Sequence, residues 1–288
     1  MYPSAFEYHR ASSVKEALAM LSEYGEEGKL IAGGHSLIPI MKLRLAQPAH
    51  LVDISGVREL ALVREEAGKI LIGAMTTHQA VETSPLVRAK LGLLAECAAM
   101  IGDVQVRNRG TIGGSITHAD PAADYPAAVL ALEAEIKIEG AGGARAVKAE
   151  DFFLDLMTTA VRPGEIVTQV AFAPIPAGRG FAYLKHRQPA SGFATVGVAA
   201  MIALGKNGVC ENVRVGITGL GPKPFRAKAV EAALAGKAPA QEIAAPAAHA
   251  ANGIDALADI HASADFRAEL ACVYTRRALE GALARVRP

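Results

Sequence analysis

The chain has 288 residues, enough for about two domains, which excludes a mini-protein that depends on disulfides or metals for stability. Thirty Lys and Arg residues against 29 Asp and Glu residues give a formal net charge of +1, which argues against a protein that binds nucleic acid through bulk charge. Hydrophobic residues make up 51% of the chain, charged residues 20%, and the mean hydropathy is +0.23, a composition typical of a folded globular protein.

The three cysteines, Cys97, Cys210 and Cys272, are an odd number without a CxxC pair. The sequence therefore encodes neither a disulfide framework nor a cysteine-ligated cluster or zinc site, and we expect reduced thiols in a cytoplasmic protein. The first residues are charged and no apolar run follows them, so we expect no signal peptide. The longest apolar stretch, residues 196–204, is shorter than the ~20 residues that span a bilayer, and we expect no integral membrane segment.

The first half of the chain alternates helices with short strands. The segment from Ser13 to Glu16 is a capping box that predicts a helix start, and Gly25 is placed to end that helix. The predicted elements that follow are a strand over 29–32, a Gly33-Gly34 loop, a helix start at 36–39, strands over 50–54 and 69–73, a helix over 91–101, a glycine loop over 111–115, a helix over 127–132 and strands over 134–139 and 165–172.

The second half begins after a Pro-Ile-Pro-Ala-Gly segment at 174–178, which favours a linker. The predicted elements are strands over 180–187, 193–204 and 209–218, joined by glycine-containing turns, and then helices over 226–234, 238–251 and 265–285. Strands followed by helices favour an α+β domain with an antiparallel sheet.

Common nucleotide and hydrolase motifs are absent: the sequence has no GxGxxG, GxxxxGK[ST], HExxH or EF-hand loop. Ser36 lies in half of a nucleophile elbow, but Ile38 stands where the second glycine is required. A formal SxxK at residues 12–15 is better explained by the capping box. We therefore expect no catalytic residue in this chain.

A metal site is equally weakly supported by the sequence. His118, Asp120 and Asp124 offer three ligands in one loop, but no fourth candidate accompanies them. We expect no metal ion in this chain.

Two Gly-Gly-containing loops carry the strongest functional signal. Each loop alone is compatible with a tight turn, because glycine is favoured wherever φ is positive. Each loop follows an apolar or basic segment and leads to a serine: Gly33-Gly34 to Ser36, and Gly113-Gly114 to Ser115. Each loop therefore offers a hydroxyl and backbone N–H groups that no Cβ hinders. Such N–H groups form anion-binding nests, and two facing loops would hold a diphosphate.

The loops Ala32-Gly33-Gly34-His35-Ser36-Leu37 and Thr111-Ile112-Gly113-Gly114-Ser115 resemble the two FAD loops of the flavoprotein subunits of molybdenum hydroxylases. That family includes carbon monoxide dehydrogenase medium subunits and the FAD part of xanthine dehydrogenases. The resemblance covers nearly the whole chain. It extends to Phe6-Glu7-Tyr8-His9, Arg107-Asn108-Arg109-Gly110-Thr111, Pro224-Phe225-Arg226-Ala227 and Asp259-Ile260-His261-Ala262-Ser263.

The resemblance implies an α+β chain with two domains. Residues 1–176 would form a PCMH-type, vanillyl-alcohol-oxidase-like FAD-binding domain, with α/β subdomains over about 1–55 and 56–176. Residues 177–288 would form a domain like the C-terminal domain of carbon monoxide dehydrogenase flavoproteins, with a three-stranded antiparallel sheet and helices.

The resemblance also assigns cofactor-binding residues. They are Gly33, Gly34, His35 and Ser36 for the FAD pyrophosphate, Lys29, Ala32 and Leu37 along the same edge, Thr111, Gly114 and Ser115 for the second wall, and Ile101, Asp124, Lys185 and Phe193 for the ribityl chain and ring. Asp124, expected as a solvent-facing loop carboxylate, would accept hydrogen bonds from ribityl hydroxyls. Lys185 would stabilise the reduced ring. On sequence grounds alone, Lys29 also fits a solvated strand edge and Phe193 a core position.

The function implied by the resemblance is electron transfer. The chain would carry FAD, receive electrons from the [2Fe-2S] clusters of a small subunit and pass them to an external acceptor such as a quinone, NAD or oxygen. A large molybdopterin subunit would oxidise the substrate, and the three chains would form a dimer of heterotrimers. No nucleic-acid partner is expected.

The substrate stays open in the sequence. Relatives that act on carbon monoxide tend to have Gly-Asp-Pro-Gly-Asn-Asp where this chain has residues 119–124, and Tyr in place of Phe193. Carbon monoxide, N-heterocycles, purines and aldehydes are all compatible. Two other functions stay open as well: a self-contained FAD oxidoreductase of the same fold superfamily, similar to UDP-N-acetylmuramate dehydrogenase, and a binding module whose glycine loops are only turns.

Overall fold

The computed structural model describes residues 1–239 and 243–286, and their strands form three main sheets and a short two-stranded one. The N-terminal unit consists of β1 (Glu7–Arg10), α1 (Val14–Tyr24), β2 (Gly28–Ile31), α2 (Leu37–Lys42) and β3 (His50–Asp53). Its three strands form the first sheet, which is parallel, with β3 between β1 and β2. Half of the predicted capping box is present: the Ser13 side chain accepts a hydrogen bond from the Glu16 N–H. The Glu16 carboxylate accepts hydrogen bonds from the N–H and hydroxyl of Ser12, one residue earlier than the N-cap residue.

The second sheet is antiparallel and has five strands. In chain order its strands are β4 (Val63–Glu66), β5 (Lys69–Gly73), β6 (Glu135–Gly140), β7 (Gly143–Lys148) and, after the hairpin of β8 (Phe153–Asp155) and β9 (Thr158–Thr159), β10 (Ile166–Phe172). The strand order is β4-β5-β10-β6-β7, so β10 returns to the centre of the sheet between β5 and β6. Isoleucines at the centre of β5 and β6, including Ile72 and Ile136, are completely buried.

Short helices connect β5 to β6 and cover this sheet. They are α3 (His78–Thr83), α4 (Pro85–Lys90), α5 (Gly92–Ala99), α6 (Val104–Arg109), α7 (Ile112–His118) and α8 (Tyr125–Ala131), and α9 (Ala149–Phe152) follows β7. α5 and α8 are largely apolar and contribute Leu93, Leu94 and Val129 to the core. α8 therefore has a buried position, which places its first residues deep in the protein.

The third sheet is antiparallel and lies in the C-terminal part of the chain. Its strands are β11 (Gly180–Arg187), β12 (Ala194–Leu204), β13 (Cys210–Thr218) and β14 (Phe225–Arg226), and the helices that follow are α10 (Lys228–Leu234), α11 (Ala244–Ala247) and α12 (Ala264–Leu283). A Cβ added to Gly216 of β13 would lie 2.1 Å from the Ala127 backbone oxygen, so this sheet packs directly on the backbone of α8. The predicted three-strand meander is confirmed and gains a fourth, two-residue strand.

The sequence prediction missed strands at sheet edges. β1 is the Glu-Tyr-His-Arg segment, and β4 and β7 are the two edges of the five-stranded sheet. These strands are polar and largely exposed, so they lack the apolar alternation that predicts a strand. Charged edge strands are also less prone to pair with another chain.

Two predictions about the helices were wrong in part. The second glycine loop is the first turn of α7. The basic residues before it, Arg107 and Arg109, to which the sequence analysis assigned no element, belong to α6. In the Ala-rich stretch predicted to be helical over 238–251, residues 240–242 lie outside the described part, and the described remainder contains the short helix Ala244–Ala247.

The sheets are consistent with the predicted domains. The N-terminal sheet spans residues 7–53, the five-stranded sheet 63–172 and the C-terminal sheet 180–226. We therefore keep the divisions near residues 55 and 176 as proposals. Within 1–239 and 243–286, no helix is both long enough and apolar enough to cross a bilayer.

Candidate functional site

A cleft of about 500 Å³ opens between the end of β2, the start of α7 and the loop between β11 and β12. Its volume lies within the range of small-molecule and cofactor sites. The cleft is lined by nearly all of the residues that the sequence assigned to a cofactor: Lys29, Ala32, Gly33, Gly34, His35, Ser36, Leu37, Ile101, Thr111, Gly114, Ser115, Asp124 and Phe193. The structure therefore brings together residues that are up to 164 positions apart in the chain.

The first glycine loop presents unused hydrogen-bond donors. In the described chain, the backbone N–H groups of Gly34, His35 and Ser36 donate to no protein acceptor. Gly34 has a φ of +77°, which L side chains rarely adopt. Consecutive free N–H groups around a left-handed residue are the arrangement that an anion-binding nest requires.

The second glycine loop differs from its prediction. The N–H groups of Ile112 and Gly113 donate to the carbonyls of Thr76 and Ala74, and that of Gly114 donates to the Thr111 side chain at 3.1 Å. They are therefore used by the protein and are not available to an anion, because this segment is a capped helix start. Its contribution to the cleft is the wall that Thr111, Gly114 and Ser115 form.

The glycines bring the two loops into contact. A Cβ added to Gly33 would lie 2.0 Å from the Arg109 backbone oxygen, and one added to Gly114 would lie 3.8 Å from the Ala32 Cβ. Gly33 is thus needed for the close approach of two backbones, independently of any ligand. A substitution at Gly33 would disturb the packing of the loops themselves, so it cannot separate ligand binding from folding.

Asp124 is buried, which corrects the expectation of a solvent-facing loop carboxylate. It precedes α8 and is 4% exposed, and both of its oxygens lie within 2.9 Å of the Lys185 ammonium nitrogen. The Tyr183 hydroxyl donates to the same carboxylate at 2.5 Å. Burial raises the pKa of Asp124, while the neighbouring Lys185 ammonium and Tyr183 hydroxyl oppose that rise by stabilising the charged carboxylate.

Lys185 is not one of the cleft-lining residues of the described structure, although the sequence placed it beside the ring. Its side chain is fully buried one layer behind the cleft, where it donates to Asp124 and, at 2.6 Å, to the Gly192 carbonyl. Both partners line the cleft. Lys185 therefore joins two walls of the cleft from behind.

Phe193 lies at the cleft and is 43% exposed. The loop that carries it is closed by hydrogen bonds between the Gln188 N–H and the Phe193 carbonyl and between the Gly192 N–H and the Gln188 carbonyl. The alternative of a core position for Phe193 is therefore wrong. Lys29 is exposed on β2 and also lines the cleft. It therefore lies both on a solvated strand edge and at the cleft.

His78 is a cleft residue that the sequence analysis missed. It starts α3, is 4% exposed, and its Nδ1 has no hydrogen-bond partner in the described chain. Burial lowers the pKa of His78 to about 4, and the nearby His35 and Arg107 act in the same direction. The sequence offered one indication of this residue: His78 is a polar side chain five residues after the predicted strand 69–73.

Other missed lining residues carry no motif. Met157, Val161 and the segment Glu165 to Val167 line the cleft from the connection into β10, and Ser191 and Gly192 line it from the loop before β12. These residues reach the cleft through long-range sheet pairing, which a local pattern does not reveal.

Comparisons with known proteins identify the class. Residues 4–175 match the family described as the FAD binding domain in molybdopterin dehydrogenase, and residues 181–282 match the CO dehydrogenase flavoprotein C-terminal domain. The fold is thus that of an FAD-binding subunit of an oxidoreductase.

Individual relatives show which family of FAD-binding subunits the chain resembles. The carbon monoxide dehydrogenase medium chain of Hydrogenophaga pseudoflava is 42% identical over 99% of both chains. The 6-hydroxypseudooxynicotine dehydrogenase complex subunit alpha of Paenarthrobacter nicotinovorans is 36% identical over 100% of this chain and 98% of that one. A solved carbon monoxide dehydrogenase from Hydrogenophaga pseudoflava superimposes with a TM-score of 0.97 at 43% identity, covering 100% of both chains. The chain belongs to the family of FAD-binding medium subunits of carbon monoxide dehydrogenase and related molybdenum hydroxylases.

The cleft residues fit FAD. A diphosphate needs several N–H donors, and the first glycine loop has free ones. A flavin ring needs an apolar wall, and Ile101, Val106 and Phe193 line the cleft. The bound FAD supplies redox chemistry, and the protein supplies binding and orientation.

Replacing Asp124 by Ala should destabilise the protein by about 3–5 kcal/mol, because the Lys185 ammonium would be left buried without its counterion. The free energy of unfolding in urea measures this. The double variant Asp124→Leu with Lys185→Met should recover most of the loss, because it removes both charges. A cost below about 1 kcal/mol for Asp124→Ala would show that the pair is hydrated rather than buried.

His78 should make the FAD-free chain less stable in acid. Its pKa is about 4 in the folded protein and about 6.5 in an unfolded chain, so between these values the unfolded chain binds the extra proton and stability falls as the pH falls. At pH 5 the loss relative to pH 7.5 is about 2 kcal/mol. Urea unfolding of wild type and His78→Gln at both pH values should show that the variant lacks this part of the acid sensitivity. Equal acid sensitivity would contradict the assignment.

Proposed function

We propose that the Gly33 to Ser36 loop holds the FAD diphosphate. The observation that carries this proposal is the set of free N–H groups on Gly34, His35 and Ser36 at the cleft. Each N–H is a donor that needs an acceptor, and phosphate oxygens are strong acceptors. Lys29 adds a positive charge on the same side of the cleft.

The remaining predicted residues are proposed to surround the rest of the cofactor. Thr111, Gly114 and Ser115 form the opposite wall, and Ile101 and Phe193 offer apolar contacts for the ring. Asp124 itself lines the cleft, and Lys185 acts from behind it. Their buried pair fixes the position of the Gly192 carbonyl and hence of the loop that ends in Phe193.

The proposed role of the chain is electron transfer within a larger enzyme. We infer that it receives electrons from the [2Fe-2S] clusters of a small subunit and delivers them to an external acceptor, either a quinone, NAD or oxygen. The chain has only three cysteines, and Cys97 and Cys210 are buried, so it lacks the four thiolates of a [2Fe-2S] cluster. We propose that the clusters and the molybdopterin cofactor belong to partner chains and that the chains assemble as a dimer of heterotrimers in the cytoplasm.

The substrate is proposed to be selected by the molybdenum subunit rather than by this chain. Its relatives are named for carbon monoxide and for 6-hydroxypseudooxynicotine, although they share its fold over almost their whole length. The substrate proposed for the whole enzyme is carbon monoxide, an N-heterocycle, a purine or an aldehyde. An oxidoreductase that needs no partner is the alternative function.

Gly34→Ala should weaken FAD binding at least about tenfold, because a side chain at φ +77° strains the nest and its Cβ would lie 2.7 Å from the Ile38 Cδ1. Gly68→Ala is the matched control: Gly68 has a φ of +75° but lies in the β4–β5 turn with nothing within 4 Å. Fluorescence titration of the two FAD-free variants should give weakened binding for Gly34→Ala alone. Equal affinities would remove the loop from the diphosphate site.

Titration with FMN tests the same contact from the ligand side. FMN lacks the diphosphate bridge and the adenosine, so wild-type protein should bind it much more weakly than FAD. The difference between FAD and FMN affinity should shrink in Gly34→Ala. An unchanged difference would mean that the loop does not bind the diphosphate.

The assembled enzyme should reduce its flavin when substrate is added, whereas the FAD-loaded chain alone should not. Flavin reduction in the assembled enzyme and in the isolated chain is measured under anaerobic conditions by the absorbance of the flavin band. Carbon monoxide, an aldehyde, a purine and an N-heterocycle are added in separate experiments. Dithionite is the control that shows the isolated chain's flavin to be reducible. Bleaching of the isolated chain by an organic substrate would support the self-contained oxidoreductase.

A further inference from the structure

Three potential metal ligands that do not line the cleft lie together on the N-terminal sheet. β1 and β3 are parallel neighbours, and Glu7 is paired in register with His50. His9 lies two residues after Glu7 and therefore points to the same face of the sheet. None of the three lines the cleft, although Lys29 and Leu30 of β2 do.

The ligand atoms already have the spacing of a shared coordination sphere. The His9 Nε2 lies 3.1 Å from the His50 Nδ1, and the Glu7 Oε2 lies 3.7 Å from the former and 3.5 Å from the latter. Two ligands at ~2.0–2.1 Å from one tetrahedral ion are separated by about 3.3 Å. Within residues 1–239 and 243–286, one group of at least three histidine, cysteine or acidic side chains has its ligand atoms this close together, and it consists of these three residues.

Tyr24 at the end of α1 holds both imidazoles. Its ring stacks on His50 with a centroid distance of 4.1 Å and an interplanar angle of 12°, and on His9 at 4.7 Å. Its hydroxyl lies 3.3 Å from the His9 Nδ1. A metal-bound histidine commonly uses its second ring nitrogen for a hydrogen bond of this kind, which fixes the ring and leaves the other nitrogen to the metal.

We propose that Glu7, His9 and His50 bind a divalent transition-metal ion of the Zn²⁺ type, with Tyr24 as a positioning residue. Two imidazoles and a carboxylate are ligands that Zn²⁺ accepts, and a fourth position is left for water. The ion ties β1, an edge strand, to the central strand β3. The proposal departs from the expectation of no metal, because Glu7 and His50 are 43 positions apart in the sequence and only the parallel pairing joins them.

A metal-free hydrogen bond between His9 and His50 is the competing explanation, and zinc titration separates the two. Untagged, chelator-treated full-length chain should bind one equivalent of Zn²⁺ in calorimetry at pH 7.5. Glu7→Gln should weaken this binding at least about tenfold, and His50→Gln should abolish it. Glu23→Gln, an exposed glutamate on α1, is the matched control and should bind as wild type does.

Glu7→Gln is the decisive variant because the Glu7 side chain is 73% exposed, so its loss does not threaten the fold. Substituting Co²⁺ should give a d–d absorption band that is lost in His50→Gln. Tyr24→Phe should retain the band but weaken Co²⁺ binding about tenfold, as expected for an outer-shell partner.

The proposal fails if chelator-treated protein binds no Zn²⁺, or if Glu7→Gln, His50→Gln and Glu23→Gln all bind it as tightly as wild type. The first result would leave a hydrogen-bonded histidine pair, and the second would place the ion elsewhere on the chain. Loss of binding in His50→Gln with unchanged binding in Glu7→Gln would reject the carboxylate as a ligand and with it the three-residue site.

Discussion

The Lys185 ammonium has no access to solvent, so the protein itself must supply its counterion and its hydrogen-bond acceptors. Asp124 supplies the charge from the start of α8, and the Gly192 carbonyl supplies an acceptor from the loop before β12. These partners come from the five-stranded part of the protein and from the C-terminal sheet. Asp124 and Gly192 both line the cleft, so the shape of the cleft depends on the hydrogen bonds that Lys185 donates to them.

The two glycine loops have different physical roles despite similar sequences. The first loop leaves its N–H groups free and has a left-handed residue at Gly34, whereas the second uses its N–H groups to start α7. The difference lies in the neighbours of the second loop: Ala74 and Thr76 follow β5 and present carbonyls to Gly113 and Ile112. One loop is therefore a binding surface and the other a rigid wall.

Much of the fold and most of the cleft could be predicted from the sequence. The apolar central strands were recognised, and β5 and β11 have the predicted bounds. Edge strands such as β1 and β7 were missed because they bury too few side chains to show a period. The cleft residues with a local motif were found, whereas Asp124 was placed on the surface, because its burial depends on Lys185 and Tyr183, which are about 60 residues away.

The loop of residues 188–193 comes from the C-terminal sheet, yet it completes the wall of a cleft whose other walls are finished by residue 167. During synthesis on the ribosome, the first part of the chain therefore emerges with this cleft open on one side. The loop connects β11 and β12, and β12 pairs in turn with β13, which ends at Thr218. This wall of the cleft can therefore form only after about 218 residues have left the ribosome. The order of synthesis thus leaves an interval in which a ligand can enter from the side before the pocket acquires its final shape.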